Sequence, residues 1–251
     1  MYFDKFIGID WSGDKNSFQK GISVAECANG NKVPQIVKPL DDKFWTRSTL
    51  LEWLHKEIKL QRNLIGFDFA FSYPFYDRFC YFPGIKDSPI NSETLWQLIE
   101  DINTNAKNFY GGEIWTNTTY GKFFNSPKLK GPYFYSRKRC TERIAKKKIL
   151  SPSTTFNCVG PGAVGTGTLA GMRILNLLKN KTKIWPFDEL NFSAKTVVVE
   201  IFPSYYFRLS KIKPGKKIGY TRENINKSLK FFNSKPLKKN QIICGPDQDD
   251  A

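Results

Sequence analysis

The sequence holds a single histidine, His55, and its five cysteines include no CxxC pair. The first shortage removes any metal centre built from several imidazoles and would force a Ser-His-Asp or Cys-His device through one ring. The second removes paired-thiolate zinc sites. An odd number of widely spaced cysteines (Cys27, Cys80, Cys140, Cys158, Cys244) also argues against a disulfide framework, so reduced thiols are expected. Long apolar runs are missing as well. No stretch approaches the roughly 20 residues of a membrane span, and the opening MYFDKFIGID carries no apolar signal core. The expectation is a cytoplasmic protein with no membrane partner, in which the sequon Asn117-Thr118-Thr119 has arisen by chance.

Acids are scarce too: 39 Lys and Arg against 23 Asp and Glu leave 39 − 23 = +16. A chain of 251 residues with 40% hydrophobic and 15% aromatic content can bury a real core, so general disorder is excluded and one large domain suffices. Part of the positive charge is compositional, since 30 of the 39 cations are Lys in a chain rich in Asn, Ile and Phe. The remainder is clustered. Arg137, Lys138, Arg139, Arg143, Lys146, Lys147 and Lys148 are opposed only by Glu142, and a second basic stretch runs from Arg208 to Lys239. Clustered cations point to a phosphate backbone, DNA or RNA, and Arg139, Arg143 and Lys146 or Lys147 would share one helical stripe. Aromatics just before this cluster, from Phe109 and Tyr110 through Phe123, Phe124 and Tyr133 to Tyr135, could stack unpaired bases, although most such residues belong to cores.

Along the chain, Phe6 to Asp10, Phe18 to Cys27 and Val33 to Lys38 read as three antiparallel strands separated by turn residues. Arg47 to Leu60 places Leu50, Leu51, Leu54 and Ile58 on one helical face, with His55 on the same helix and given no role. Asn63 to Phe69 reads as a strand buried on both faces. An aromatic and basic insertion then covers about 73–160, with one helix near Ser92 to Asn103. Beyond it lie a helix within Gly162 to Lys179, a strand from Thr196 to Phe202 ended by Pro203, and a helix over Glu223 to Phe232. The closing Gly245-Pro246-Asp247-Gln248-Asp249-Asp250-Ala251 has the proline and acids of a helix start and is expected to continue beyond Ala251.

Three acids interrupt otherwise apolar strands: Asp10 in FIGID, Asp68 in IGFDF and Glu200 in VVVEIF. A buried carboxylate needs a cation, hydrogen bonds or a metal, and an acid at a strand end can simply face solvent. If Asp10 and Asp68 lie on parallel neighbours, two like charges stand side by side and require a proton or a cation between them. Without histidine, hard oxygen ligands favour Mg²⁺ or Mn²⁺. Two such ions would support phosphodiester hydrolysis.

The order of strands and helix, with Asp10 on the first strand and Asp68 on the fourth, resembles the ribonuclease H-like fold. More narrowly, IGIDWSG, GFDFAFSYP, VGTGTLAGM, VEIFPS and DQDDA resemble the domain of unknown function 429 family, a group of predicted nucleases within that superfamily. The resemblance implies an α/β fold: a mixed sheet of three antiparallel strands followed by parallel ones, flanked by helices. It also implies a carboxylate site for Mg²⁺ or Mn²⁺ in which Asp10, Asp68 and Glu200 are strand ligands. Asp247, Asp249 or Asp250 would be the helix acid, with Asp250 favoured because an alanine follows it.

Two other readings compete. Gly160-Pro161-Gly162-Ala163-Val164-Gly165 matches a dinucleotide fingerprint by letters, but STTFNCV before it is a poor strand and no acid follows at the right distance. The sugar-kinase and actin-like ATPases offer a stronger alternative, with phosphate held by Ser12, Gly13 and Lys15 after the first strand and by Gly165, Thr166 and Gly167 at a helix start. Close helix packing would explain the same glycines. A nucleic-acid-binding module without chemistry is the non-enzymatic alternative.

Overall fold

The computed structural model describes residues 2–30, 32–40, 42–132, 137–148, 151–160, 162–191, 193–212 and 221–238. Six strands form one mixed sheet: β1 (Lys5–Asp10), β2 (Ser23–Ala28), β3 (Gln35–Val37), β4 (Asn63–Phe67), β5 (Lys183–Trp185) and β6 (Thr196–Glu200). Their order is β3-β2-β1-β4-β6-β5, antiparallel among the first three and parallel across β1, β4, β6 and β5. This is the expected α/β arrangement of antiparallel strands followed by parallel ones. The short strand β5 had no sequence signal, because three residues are too few to show a period.

Side chains alternate across the sheet, so Ile7 and Ile9 of β1 share a face with Ile65 and Phe67 of β4. That face is fully buried and meets helix α1 (Arg47–Leu60) through Leu50 and Leu54, and helix α4 (Gly165–Leu178) through Leu169, Met172 and Leu175. Thr46 caps α1, its hydroxyl accepting from the amide of Thr49 at 3.0 Å while the Thr49 hydroxyl faces the Thr46 amide at 3.1 Å. Helix α2 (Ser92–Ile102), capped in the same way by Asn91 and Thr94, buries Leu95, Trp96 and Ile99. The insertion is therefore no loose appendage. Tyr73, Phe82, Phe123, Phe124 and Phe156 are buried in the same continuous core. Those aromatics hold the fold, whereas Tyr133, Phe134 and Tyr135 lie outside the described residues.

The remaining helices are α3 (Cys140–Lys148), α5 (Pro203–Leu209) and α6 (Arg222–Phe231). β6 stops at Glu200, short of the expected Phe202, and Pro203 opens α5, in keeping with proline's tolerance at the first turn of a helix. The strand expected from Phe18 begins only at Ser23, because Gln19 is drawn inward. Its amide donates to the carbonyl of Trp45 at 2.7 Å, and its side-chain oxygen accepts from Arg47 at 3.1 Å. Arg47 is 1% exposed and also donates to the carbonyls of Ser12 (2.6 Å), Asp14 (2.8 Å) and Asn108 (2.6 Å). Burial pulls its guanidinium down to about 10, still well above neutrality.

Arg47 thus ties the loop after β1 to α1 and to the insertion. Each carbonyl left unpaired in a buried place costs about 1–3 kcal/mol. Arg47→Met, which keeps the stem and removes the donors, is expected to lower stability in urea unfolding by about 3 kcal/mol and to open residues 12–19 to proteolysis. A loss below about 1 kcal/mol would mean that the loop is held by other contacts.

Candidate carboxylate site

The parallel register brings the strand acids to one edge of the sheet. Ile9 pairs with Phe67, and the amide of Asp68 donates to the carbonyl of Ile9 at 3.0 Å, so Asp10 and Asp68 are next neighbours on strands roughly 4.8 Å apart. Glu200 is one step out of line, paired with Phe67 in the β4–β6 register. All three line a cavity of about 1150 Å³ at the carboxyl ends of β1, β4 and β6, where open parallel sheets place their ligands.

Asp10 and Asp68 carry no cation among the described residues. One Asp10 oxygen accepts from the amide of Trp11 at 2.9 Å, yet burial still holds its carboxyl above the ordinary value. Asp68 is pushed up to about 7, first by burial, then by Asp10 and then by Glu200. Near neutral pH this pair holds a proton or awaits a cation. Glu200 is different. Both of its oxygens accept from Arg139 at 2.7 Å, and one also accepts from the amide of Phe71 at 3.0 Å. Arg139 further donates from Nε to Glu142 at 2.8 Å. Its charge is thereby firmly held.

A hard divalent cation fits part of this donor set. Asp10 and Asp68 supply two oxygens facing a cavity, and Mg²⁺ commonly takes one or two carboxylates and completes its sphere with water and substrate phosphates. The fuller set is not assembled: no group of three or more His, Cys, Asp or Glu among the described residues is placed to hold a metal. Glu200 is occupied by Arg139, and Asp247, Asp249 and Asp250 lie outside the described residues.

The basic cluster divides into structural and exposed members. Arg137 is 3% exposed and cannot meet a phosphate. It donates to Asp77 at 2.9 and 2.7 Å and to the carbonyls of Pro74, Cys80 and Tyr81. Arg139 is committed to Glu200. Lys138 is half-buried and donates to the carbonyl of Pro152 at 2.5 Å, while Arg143, Lys146 and Lys147 on α3 are exposed. The shared stripe therefore begins at Arg143 rather than Arg139. The sequence held one clue to this division: a lone acid in an apolar strand such as VVVEIF needs a cation, and Arg139 is that cation.

The candidate phosphate residues do come together, through backbone packing. The Gly13 Cα lies so close to Thr166 and Gly167 that a side chain there would overlap their main chain, and Gly165 is similarly enclosed by Thr155, Asn157 and Cys158. The Trp11 indole N–H donates to the carbonyl of Gly167 at 3.0 Å, and the Thr166 hydroxyl to that of Cys158 at 3.1 Å. The Ser12 hydroxyl accepts from the amide of Asp14 at 3.2 Å, and Lys15 is exposed. Gly13 thus lets the loop after β1 lie against the start of α4, whereas Gly165 makes room for the segment 155–158. His55 lies on α1, its Nε2 3.0 Å from Lys181 Nζ, and its imidazole is held below the ordinary value by burial and neighbouring lysines. Cys27, Cys80, Cys140 and Cys158 are free thiols.

Fold and site together describe an α/β protein with a pair of neighbouring carboxylates at the mouth of a large cavity. Compared with protein-family models, with curated proteins and with solved structures, the chain matches none. No helix among the described residues is long and apolar enough to cross a membrane.

Because Asp68 titrates higher in the folded chain than the ordinary 3.8, the cost of ionising it is absent below about pH 4 and fully developed above about pH 7. Asp68→Asn is therefore expected to raise the metal-free Tm by about 3 °C at pH 8, with the gain vanishing near pH 4. Calorimetry at both pH values checks this, and a Tm unchanged or lowered at pH 8 contradicts it.

Proposed function

We propose that the chain is a metal-dependent nuclease of ribonuclease H-like fold, hydrolysing a nucleic-acid phosphodiester at the Asp10–Asp68 edge. The observation that carries this reading is the in-register placement of those two uncompensated carboxylates in a cavity at the carboxyl ends of parallel strands. The sheet order and the motifs resembling the domain of unknown function 429 family support it.

Asp10 and Asp68 would hold Mg²⁺ or Mn²⁺, which when bound supplies Lewis-acid stabilisation of phosphate charge. One of Asp247, Asp249 and Asp250, with Asp250 favoured, would supply the helix acid. The chain's own groups do the rest. Asp10, fixed by the Trp11 amide, keeps one oxygen in place, and Trp11 is itself anchored on Gly167. Asp68 would share in holding the ion, and water adds to phosphorus as one P–O bond forms and another breaks, its proton passing to solvent and the leaving alkoxide taking up a proton from solvent. In the arrangement described, Glu200 fixes Arg139 within the cavity rather than standing free as a ligand, so a guanidinium faces the space where phosphate would arrive. Exposed Arg143, Lys146 and Lys147 extend that positive surface.

The ATPase reading is weaker, because the two glycine segments it needs meet through their backbones with no phosphate-sized gap between Gly13 and Gly167. Asp10→Asn removes the charge and keeps the shape. It is expected to reduce Mg²⁺- or Mn²⁺-dependent cleavage of DNA or RNA by at least about a hundredfold with the folded circular-dichroism spectrum intact. Wild-type protein that cleaves neither polymer with either ion overturns the proposal, and salt-sensitive binding that survives Asp10→Asn without cleavage would mark a binding module instead.

A further inference from the structure

The cavity beside the carboxylates is lined by aromatic side chains left open to solvent. Tyr76 is 74% exposed, Tyr206 53% and Trp185 50%, and they come from three separate places: the segment after β4, helix α5 and strand β5. Other large rings are buried, as Tyr73, Trp96 and Phe156 are, while open ones such as Phe18 and Phe231 do not line this cavity. Isolated exposed rings need no explanation, but three in one cavity form a patch of the sort that marks a binding surface. The same lining holds Lys138, Arg143 and Arg208.

We infer that the ligand of this cavity is single-stranded nucleic acid, its unpaired bases stacked on Tyr76, Trp185 and Tyr206 and its phosphates following Lys138, Arg143 and Arg208. Flat rings interleaved with cations are the recurrent design for single strands, because every unpaired base offers a π-face. Bases in a duplex are stacked on each other and present only their edges in the grooves, so they offer no free face for a ring to stack on. The inference deepens the nuclease reading by naming the substrate class. It rests on that reading for cleavage and not for binding.

The test measures fluorescence anisotropy of labelled 20-nucleotide oligo(dT) and oligo(U), and of a 20-base-pair duplex, in EDTA. It uses the full chain, Tyr76→Ala/Tyr206→Ala and Tyr76→Phe/Tyr206→Phe. The intact chain is expected to bind single strands at least tenfold more tightly than duplex. The alanine pair is expected to lose roughly ten- to hundredfold of that affinity, while the phenylalanine pair, which keeps the rings, stays within about threefold of wild type. Duplex bound as tightly as single strand, or an alanine pair that binds like wild type, overturns the inference. A parallel cleavage assay with Mn²⁺ separates the two ideas. Ring-dependent single-strand binding without any cleavage upholds this inference and sinks the nuclease reading, whereas cleavage confined to duplex does the reverse.

Discussion

The parallel register of β1 against β4 is the constraint on which the rest of the site depends. It sets Asp10 beside Asp68 at the end of a sheet whose buried face is sealed by Ile9, Phe67 and the helices packed on them. A slip of one residue would send one acid to the opposite face, into contact with the core. The core face therefore fixes the register, and the register fixes a pair of like charges that burial alone would disfavour. The site inherits its electrostatic demand from the packing of the sheet.

A second consequence concerns the excess of positive charge. Part of what reads as a phosphate-binding cluster in sequence is internal cement, since Arg137 is buried. Arg47, Arg137 and Arg173 are nearly inaccessible, and each gathers backbone carbonyls from distant segments; Arg173 is also joined to Glu100 at 2.7 Å. Arginine suits this task because its planar fork stays charged and can satisfy several acceptors at once. Arg139 is intermediate, tied to Glu200 and Glu142 yet lining the cavity. The acids one might count as free ligands and the cations one might count as free phosphate contacts thus partly neutralise each other. What is left for a ligand is narrower: two carboxylates, a few exposed cations on α3, the half-buried Arg208 on α5, and the open rings.

How much of this was legible in the sequence depends on the range of the interaction. Period and turn chemistry marked β1, β4, β6, α1, α2 and α4, because each carries its own apolar repeat. Asp10, Asp68 and Glu200 stood out because they break apolar runs. That Glu200 needs a cation was legible, but nothing local named its partner, Arg139, 61 positions earlier. The same holds for Arg47, which looks like an ordinary helix-start cation and proves to organise the loop after β1. Glycines at 13, 165 and 167 are ambiguous in any sequence, since close backbone packing and phosphate binding both require the absent side chain. Neighbouring atoms leave no room for a side chain at Gly13 or Gly165, whereas Gly167 has only ordinary contacts.

The central claim is that Asp10 and Asp68 form a cation site at the end of the sheet. Its most direct test is Mn²⁺ binding to the full chain at pH 7.5, followed by electron paramagnetic resonance as loss of the free-ion signal. The account predicts stoichiometric uptake that Mg²⁺ competes away and that Asp10→Asn and Asp68→Asn each weaken by at least about tenfold. Mn²⁺ that stays free in solution, or that binds equally well to both variants, would contradict it.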